Sequence, residues 1–271
     1  MAAGGKGANQ AVAAARAGGD VHFICRVGAD MFGQKAVEGF VQDGIHVEYV
    51  KRDEEASSGV ALIFVGEDGE NSIAVAPEAN ARLSVEDVRD AEGLIASASI
   101  VVVQLEIPLD TVRALVATAE TAGARVILNP APAQKLDEDL LKQVSILTPN
   151  ESDAELLTGI KIEDPQGIQR AASALVSMGI DTVLITCGAR GTYCKNHDFE
   201  GMIPAFPVDA VDTTAAGDVF NGALATALSE EKGLEEAVTF ANAAAALSVT
   251  VLGAQPSAPG REEIIGFMKR S

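Results

Sequence analysis

Short runs rich in Val and Ile alternate along the chain with stretches in which apolar residues recur every three or four positions. That is the succession expected of βαβ units. The pattern predicts strands over residues 21–27, 100–105, 125–128, 145–147, 182–186 and 203–211. Their nearly continuous hydrophobicity suits parallel strands covered on both faces. It predicts helices over 9–17, 31–42, 109–122, 151–157, 167–178, 216–228, 234–251 and 262–269, several opened by Asp or Ser and closed by Gly. One segment breaks the rhythm. Residues 58–76 read SGVALIFVGEDGENSIAVA, two β-rich runs joined by Gly66-Glu67-Asp68-Gly69, which is a hairpin signal. Two solvent-facing strands between α/β units would make a lid or an interface flap, and a plain edge hairpin fits the sequence equally well. With no repeat and no Pro/Ser linker, the expectation is one α/β core, 1–57 and 77–271, with 58–76 inserted and not independent.

Charge narrows the partners. The 271 residues carry 39 acidic and 20 basic side chains, a formal net charge of −19. A surface this acidic lacks the basic stripe that a phosphate backbone needs and is repelled by anionic lipid, so neither nucleic acid nor membrane is an expected partner. Three cysteines without C-x-x-C spacing, and three histidines not grouped with them, argue against a zinc or disulfide framework and for reduced thiols in a cytoplasmic protein. No apolar run reaches the roughly 18 residues of a membrane span, and the N-terminus is too rich in Ala and Gly for a signal peptide.

Two segments carry chemistry. Asp212-Thr213-Thr214-Ala215-Ala216-Gly217-Asp218 sits where a strand should turn into a helix. Small residues there leave backbone N–H groups facing outward at the positive end of the helix dipole, an anion site to which Ala215, Ala216 and Gly217 contribute. Asp218, in the first helical turn, could take the proton of a hydroxyl attacking a bound phosphoryl group, or could simply cap the helix. Gly4-Gly5-Lys6-Gly7-Ala8-Asn9-Gln10 opens an alanine-rich helix, where glycine allows close backbone approach and Lys6 and Asn9 offer donors to polyol oxygens. A Walker A loop is absent; in its nearest approach, residues 28–35, Gln34 stands where Lys is required. Polar turns at Gln104-Leu105-Glu106, Asn129–Pro132, Thr148–Asp153 and Thr186–Gly191 follow predicted strands, at the carboxyl ends where open α/β sheets bind ligands.

Taken together, residues 4–18 and 212–218 resemble the two signatures of the ribokinase-like (PfkB) sugar kinases, and QLE, NPAPA, TPNESDAE and TCGARG fall between them in the family's order. The resemblance implies an α/β, three-layer αβα sandwich with a mostly parallel central sheet and a small β lid. It implies transfer of the γ-phosphoryl group of ATP to the 5-hydroxyl of D-ribose, with Asp218 as base and the amides of Ala215–Gly217 neutralising charge. Fructokinase or nucleoside kinase activity, or a non-catalytic nucleotide- or sugar-binding role, remains open.

The same resemblance assigns the sugar to Gly5, Lys6, Asn9, Glu106 and Asp218, and the nucleotide to Asn150, Thr186, Gly188, Gly191, Gly217 and Asn242. Potassium would lie against Asp212, Thr214, Ser248, Val251, Gly253 and Ser257. Magnesium would be held through water near Asn150-Glu151-Ser152-Asp153, where Asp153 replaces the family's Glu. A homodimer is implied through the lid. Family members also carry a longer segment ahead of the first motif, with a sheet strand, lid strands and a sugar-binding Asp. Met1-Ala2-Ala3 stand there in this sequence, so a weakened sugar site and a weaker dimer are expected.

Overall fold

The computed structural model describes residues 3–65 and 71–270. Among the described residues ten strands are seen: β1 (Cys25–Gly28), β2 (Val50–Asp53), β3 (Val60–Val65), β4 (Asn71–Ala76), β5 (Ile100–Val103), β6 (Arg125–Leu128), β7 (Ile146–Leu147), β8 (Thr182–Thr186), β9 (Thr192–Lys195) and β10 (Glu200–Ile203). The helices are α1 (Lys6–Arg16), α2 (Met31–Gln42), α3 (Val85–Asp90), α4 (Glu92–Ser97), α5 (Leu109–Ala122), α6 (Glu138–Leu141), α7 (Glu151–Thr158), α8 (Pro165–Ser177), α9 (Ala216–Ser229), α10 (Leu234–Ser248) and α11 (Arg261–Met268). The central sheet runs β10-β9-β8-β7-β6-β5, parallel from β5 to β8 and antiparallel beyond.

Alternation along each strand separates two cores. Ile127, Ile146 and Leu184 pack with α1, α9, α10 and α11, whereas Leu128, Leu147, Val183 and Ile185 pack with α5, α7 and α8. Because successive side chains leave opposite faces of a strand, continuous Val/Ile/Leu runs fill both layers of a three-layer αβα sandwich. Helix starts follow local capping. Asp30, Asp137 and Asp164 accept from the third residue onward, and Ser84 with Asp87 forms a reciprocal box.

The α1–α9 crossing is unusually close. A Cβ on Gly222 would lie 2.5 Å from the Gln10 carbonyl and 2.7 Å from Ala13 Cβ, and Thr226 Oγ1 donates to the Ala14 carbonyl at 3.0 Å. Asp218, Gly222 and Thr226 are spaced i, i+4, i+8 and share one face of α9, so the same contact that seats α1 brings its first turn over Asp218.

β3 and β4 pair antiparallel from Val60↔Ala76 to Val65↔Asn71, and the expected turn at 66–69 lies outside the described residues. The hairpin is tied to the core at its base. Asp30 accepts from the Ser58 amide at 2.8 Å and its hydroxyl at 2.7 Å.

Two expected strands differ. The run over 203–211 ends its ladder at Ile203, because Pro204 and Pro207 lack the N–H a strand must donate, and residues 204–215 lead to α9 as a loop. The run over 21–27 forms a ladder only from Cys25. His22 makes one isolated bridge to His46, and a turn from the Val50 amide to the Val47 carbonyl interrupts the partner segment. The helix expected over 234–251 stops at Ser248. The polar turn after β8 proves to be a tight connection into β9, which periodicity did not announce.

Candidate active site

Asp218 is 5% exposed at the start of α9, and both its oxygens are held. Asn9 Nδ2 donates to Oδ2 at 2.9 Å and Gln10 Nε2 donates to Oδ1 at 3.0 Å, both from the first turn of α1. Burial pushes the carboxyl above the ordinary aspartate range, while the Lys6 charge and the two amide donors pull it part of the way back. A raised, oriented carboxylate in a dry site is the property wanted of a proton acceptor. It does not cap α9: Ala215 occupies the cap position with no side-chain cap bond.

Ala215 adopts the left-handed region, φ 61°, a conformation costly for a residue with a Cβ. The twist turns the chain sharply into α9. Among the described residues the amides of Ala215 and Gly217 have no hydrogen-bond acceptor, while the Ala216 amide reaches the Thr213 carbonyl at 3.3 Å. Of the three amides expected to bind an anion, Ala216 is therefore partly occupied. The helix dipole adds to the remaining two.

Gly5 (φ 93°) makes the bend that lets the Lys6 amide donate to Glu106 Oε2 at 2.8 Å. The Lys6 charge acts on Glu106, Asp153 and Asp218 alike, so one ammonium faces three carboxyl groups. Burial raises Glu106, Lys6 lowers it, and the nearby Asp218 charge raises it again. Asn9 Oδ1 is buried and has no hydrogen-bond partner among the described residues. Such an atom costs free energy unless a donor fills it, and a sugar hydroxyl would.

The residues assigned to the nucleotide are more engaged. Asn150 Oδ1 accepts from the Asp153 amide at 2.7 Å and Asp153 Oδ2 accepts from the Asn150 amide at 3.1 Å, a capping box at the start of α7. Thr186 bridges to Asn150 across the strand ends. Gly188 (φ 55°) and Gly191 (φ 103°) shape the turn after β8, and a Cβ on Gly191 would lie 2.1 Å from the Ile203 carbonyl. Asn242 is a strut. Its amide donates to the Ile203 and Pro204 carbonyls at 3.1 and 3.2 Å and accepts from Thr192 Oγ1 at 2.8 Å, leaving little to offer a ligand.

Asp212 joins two loops, accepting from the Thr214 amide at 2.9 Å and the Gly253 amide at 2.8 Å. The Thr214 side chain, with these two amides, holds its carboxyl below the ordinary range against the opposing effect of burial. Ser248 and Ser257 are buried nearby in the chain, Val251 is exposed, and Gly253 has φ 95°.

A polar ring behind Asp218 went beyond the sequence reading. Gln104 Nε2 donates to Gln10 Oε1 at 2.6 Å, Gln10 Nε2 also reaches Asn129 Oδ1 at 3.3 Å, and Asn129 Nδ2 donates to the Thr148 carbonyl at 2.9 Å. Thr148 Oγ1 donates to Asn221 Oδ1 at 2.6 Å, and Asn221 Nδ2 returns to the Gly217 carbonyl at 2.7 Å. Strand ends of β5, β6 and β7 thus converge on the α9 turn. Asn221 was the missed member; an Asn inside the apolar run VFNGALA was its only signal.

The sequence profile described as pfkB family carbohydrate kinase matches residues 1–261. The chain is similar to a ribokinase of Haemophilus influenzae, 46% identical over all of this chain and 89% of that protein. It is also similar to a deoxyribokinase of Salmonella typhimurium, 38% identical over 98% of this chain and 87% of the other. The solved structure of Arabidopsis thaliana ribokinase complexed with ribose and ATP superposes with a TM-score of 0.93 at 34% identity, covering all of this chain and 88% of that one.

Proposed function

The chain belongs to the pfkB family of carbohydrate kinases, and from that membership we propose that it transfers the γ-phosphoryl group of ATP to the 5-hydroxyl of D-ribose, giving ribose 5-phosphate. One observation carries the reading: a buried carboxylate, Asp218, held from both sides by Asn9 and Gln10, beside unpaired amides at the N-terminus of the same helix. Asp218 takes the hydroxyl proton as the sugar oxygen attacks phosphorus. The bond from phosphorus to the bridging oxygen breaks and leaves ADP, while the amides of Ala215 and Gly217 face the phosphoryl oxygens. The free Oδ1 of Asn9, with Gly5, Lys6 and Glu106, receives sugar hydroxyls. Lys6 offsets the negative charge gathered by three carboxyls and the phosphates.

Nucleotide phosphates approach the turns at Asn150, Thr186, Gly188 and Gly191. Asp153 keeps one oxygen outside its capping box, enough for a water-mediated contact to magnesium, which supplies charge neutralisation on the phosphates when bound. Asp212 and the carbonyls of the 248–257 loop are hard oxygen donors that suit potassium, which would stiffen the turn before α9. The β3–β4 hairpin serves as a lid and as the contact with a second copy of the chain, since Val60 and Val75 are 42% and 61% exposed.

ADP release measured over ribose, deoxyribose, fructose and adenosine tests the reading. A preference for ribose supports it, and turnover of another acceptor with none of ribose overturns the substrate assignment.

A further inference from the structure

Two of the chain's three histidines lie side by side away from the site described above. The His46 amide donates to the Val21 carbonyl at 2.8 Å and the Phe23 amide donates to the His46 carbonyl at 3.1 Å, which locks His22 and His46 into a parallel bridge. Their rings stack with centroids 4.2 Å apart and planes 11° from parallel. Asp20 Oδ1 lies 3.0 Å from His46 Nε2, and Glu48 Oε1 lies 3.7 Å from His46 Nδ1. One ligand atom from each of Asp20, His22 and His46 falls within 4.8 Å of the others, and all three side chains are exposed.

We propose that Asp20, His22 and His46 bind one divalent transition-metal ion of the zinc, nickel or copper class. Two imidazole nitrogens and one carboxylate oxygen are borderline donors that favour these ions over magnesium or calcium. Around tetrahedral zinc, bond lengths of about 2.0–2.2 Å place ligand atoms roughly 3.3 Å apart. The Asp20–His46 pair, 3.0 Å apart, is within a few tenths of an ångström of that spacing, and rotation of the exposed His22 side chain brings in the third ligand. Glu48 Oε1, 3.7 Å from the other nitrogen of His46, adds negative charge beside the ligating imidazole. Three protein ligands leave the remaining coordination to water.

Position sets this site apart from the kinase chemistry. Asp20 follows Gly19, whose neighbour is Thr226, two helical turns beyond Asp218 on α9. A bound ion would tie the segment leaving α1 to the segment leaving α2, and so stabilise this edge of the fold by linkage.

Calorimetric titration of zinc and of nickel into chelator-treated full chain decides the matter. One equivalent is expected, with micromolar affinity. His22→Ala and His46→Ala should each weaken it at least about tenfold, in line with loss of one ligand. His197→Ala should not, because among the described residues His197 pairs with its neighbour Asp198 and lies in no cluster of ligating side chains. Zinc should raise the thermal midpoint of the wild type and not that of the double His22→Ala, His46→Ala variant, whose near-UV circular dichroism reports that it is folded. Absence of zinc and nickel binding overturns the proposal. So does binding that survives the double variant, or that falls equally in His197→Ala.

Discussion

Gln104 Nε2 sits 2.6 Å from Gln10 Oε1 and, by occupying that oxygen, turns the other end of the Gln10 amide onto Asp218. The proposed proton acceptor is therefore positioned by a residue that does not touch it. A carboxylate at position 104 could only accept, so Gln104→Glu would draw the Gln10 NH2 group toward itself and present Gln10 Oε1 to Asp218. Loss of a donor to the charged form raises the Asp218 pKa. The base works deprotonated, so the acid limb of kcat/KM should move to higher pH by about one unit or more, since a charged hydrogen bond is worth about 1.5–3 kcal/mol and a unit is 1.36 kcal/mol. An unmoved acid limb in Gln104→Glu would show that the contact is structural only.

Asp218→Asn removes the acceptor and retains the shape. Turnover should fall about 10²–10⁴-fold. Calorimetric ATP affinity should stay close to wild type, because the turns proposed to hold the nucleotide, at Asn150, Thr186 and Gly188, lie on other elements. Retention of more than about a tenth of the rate would rule out the assignment of the base.

Two glycine substitutions should act in opposite directions. Gly222→Ala forces a Cβ against the Gln10 backbone at 2.5 Å and should cost about 1–3 kcal/mol, lowering the thermal midpoint by roughly 2–4 °C per kcal/mol. Gly39→Ala, inside α2 with nothing within 4 Å of its Cβ, should stabilise by about 0.4–1 kcal/mol. Calorimetric melting of both variants checks the pair, and equal midpoints would contradict the close crossing.

Potassium should accelerate the reaction relative to sodium and to a bulky organic cation. Asp212 joins the turn before α9 to the Gly253 loop, so an ion beside it would order the amides proposed to face the phosphates. Equal initial rates in the three buffers would remove the ion from the account.

Acid should loosen the β1–β2 edge first. Burial alone would raise Asp87, but the paired Arg26 guanidinium (2.8 and 3.1 Å), Lys51 and Ser84 outweigh it and hold the carboxyl well below the usual range. A depressed folded-state pKa contributes stability that is complete above the unfolded value of about 3.9 and is lost as pH falls below it. Urea unfolding at pH 7 and pH 3 should show a smaller difference for Asp87→Asn than for wild type. An unchanged difference would place the acid sensitivity elsewhere.

Local periodicity and punctuation alone determined much of this protein. Helices at Met31–Gln42 and Leu109–Ala122 and strands at Arg125–Leu128 and Thr182–Thr186 stand where alternation and capping residues put them. Two small-residue motifs at helix starts marked the site, because close backbone approach and unpaired amides need glycine and alanine there. Resemblance to a family then named the chemistry those motifs could serve. Tertiary structure decided the rest. Asn9 and Asp218 are 209 positions apart and meet only because Gly222 lets α1 and α9 touch. Whether Asn242 would face a ligand or brace a loop, whether the segment after Ile203 would stay in the sheet, and whether His22 would lie against His46 all depend on which distant backbone arrives alongside. Residue type and spacing record the face a side chain shows to its own helix or strand. They do not record the neighbour that folding brings to that face.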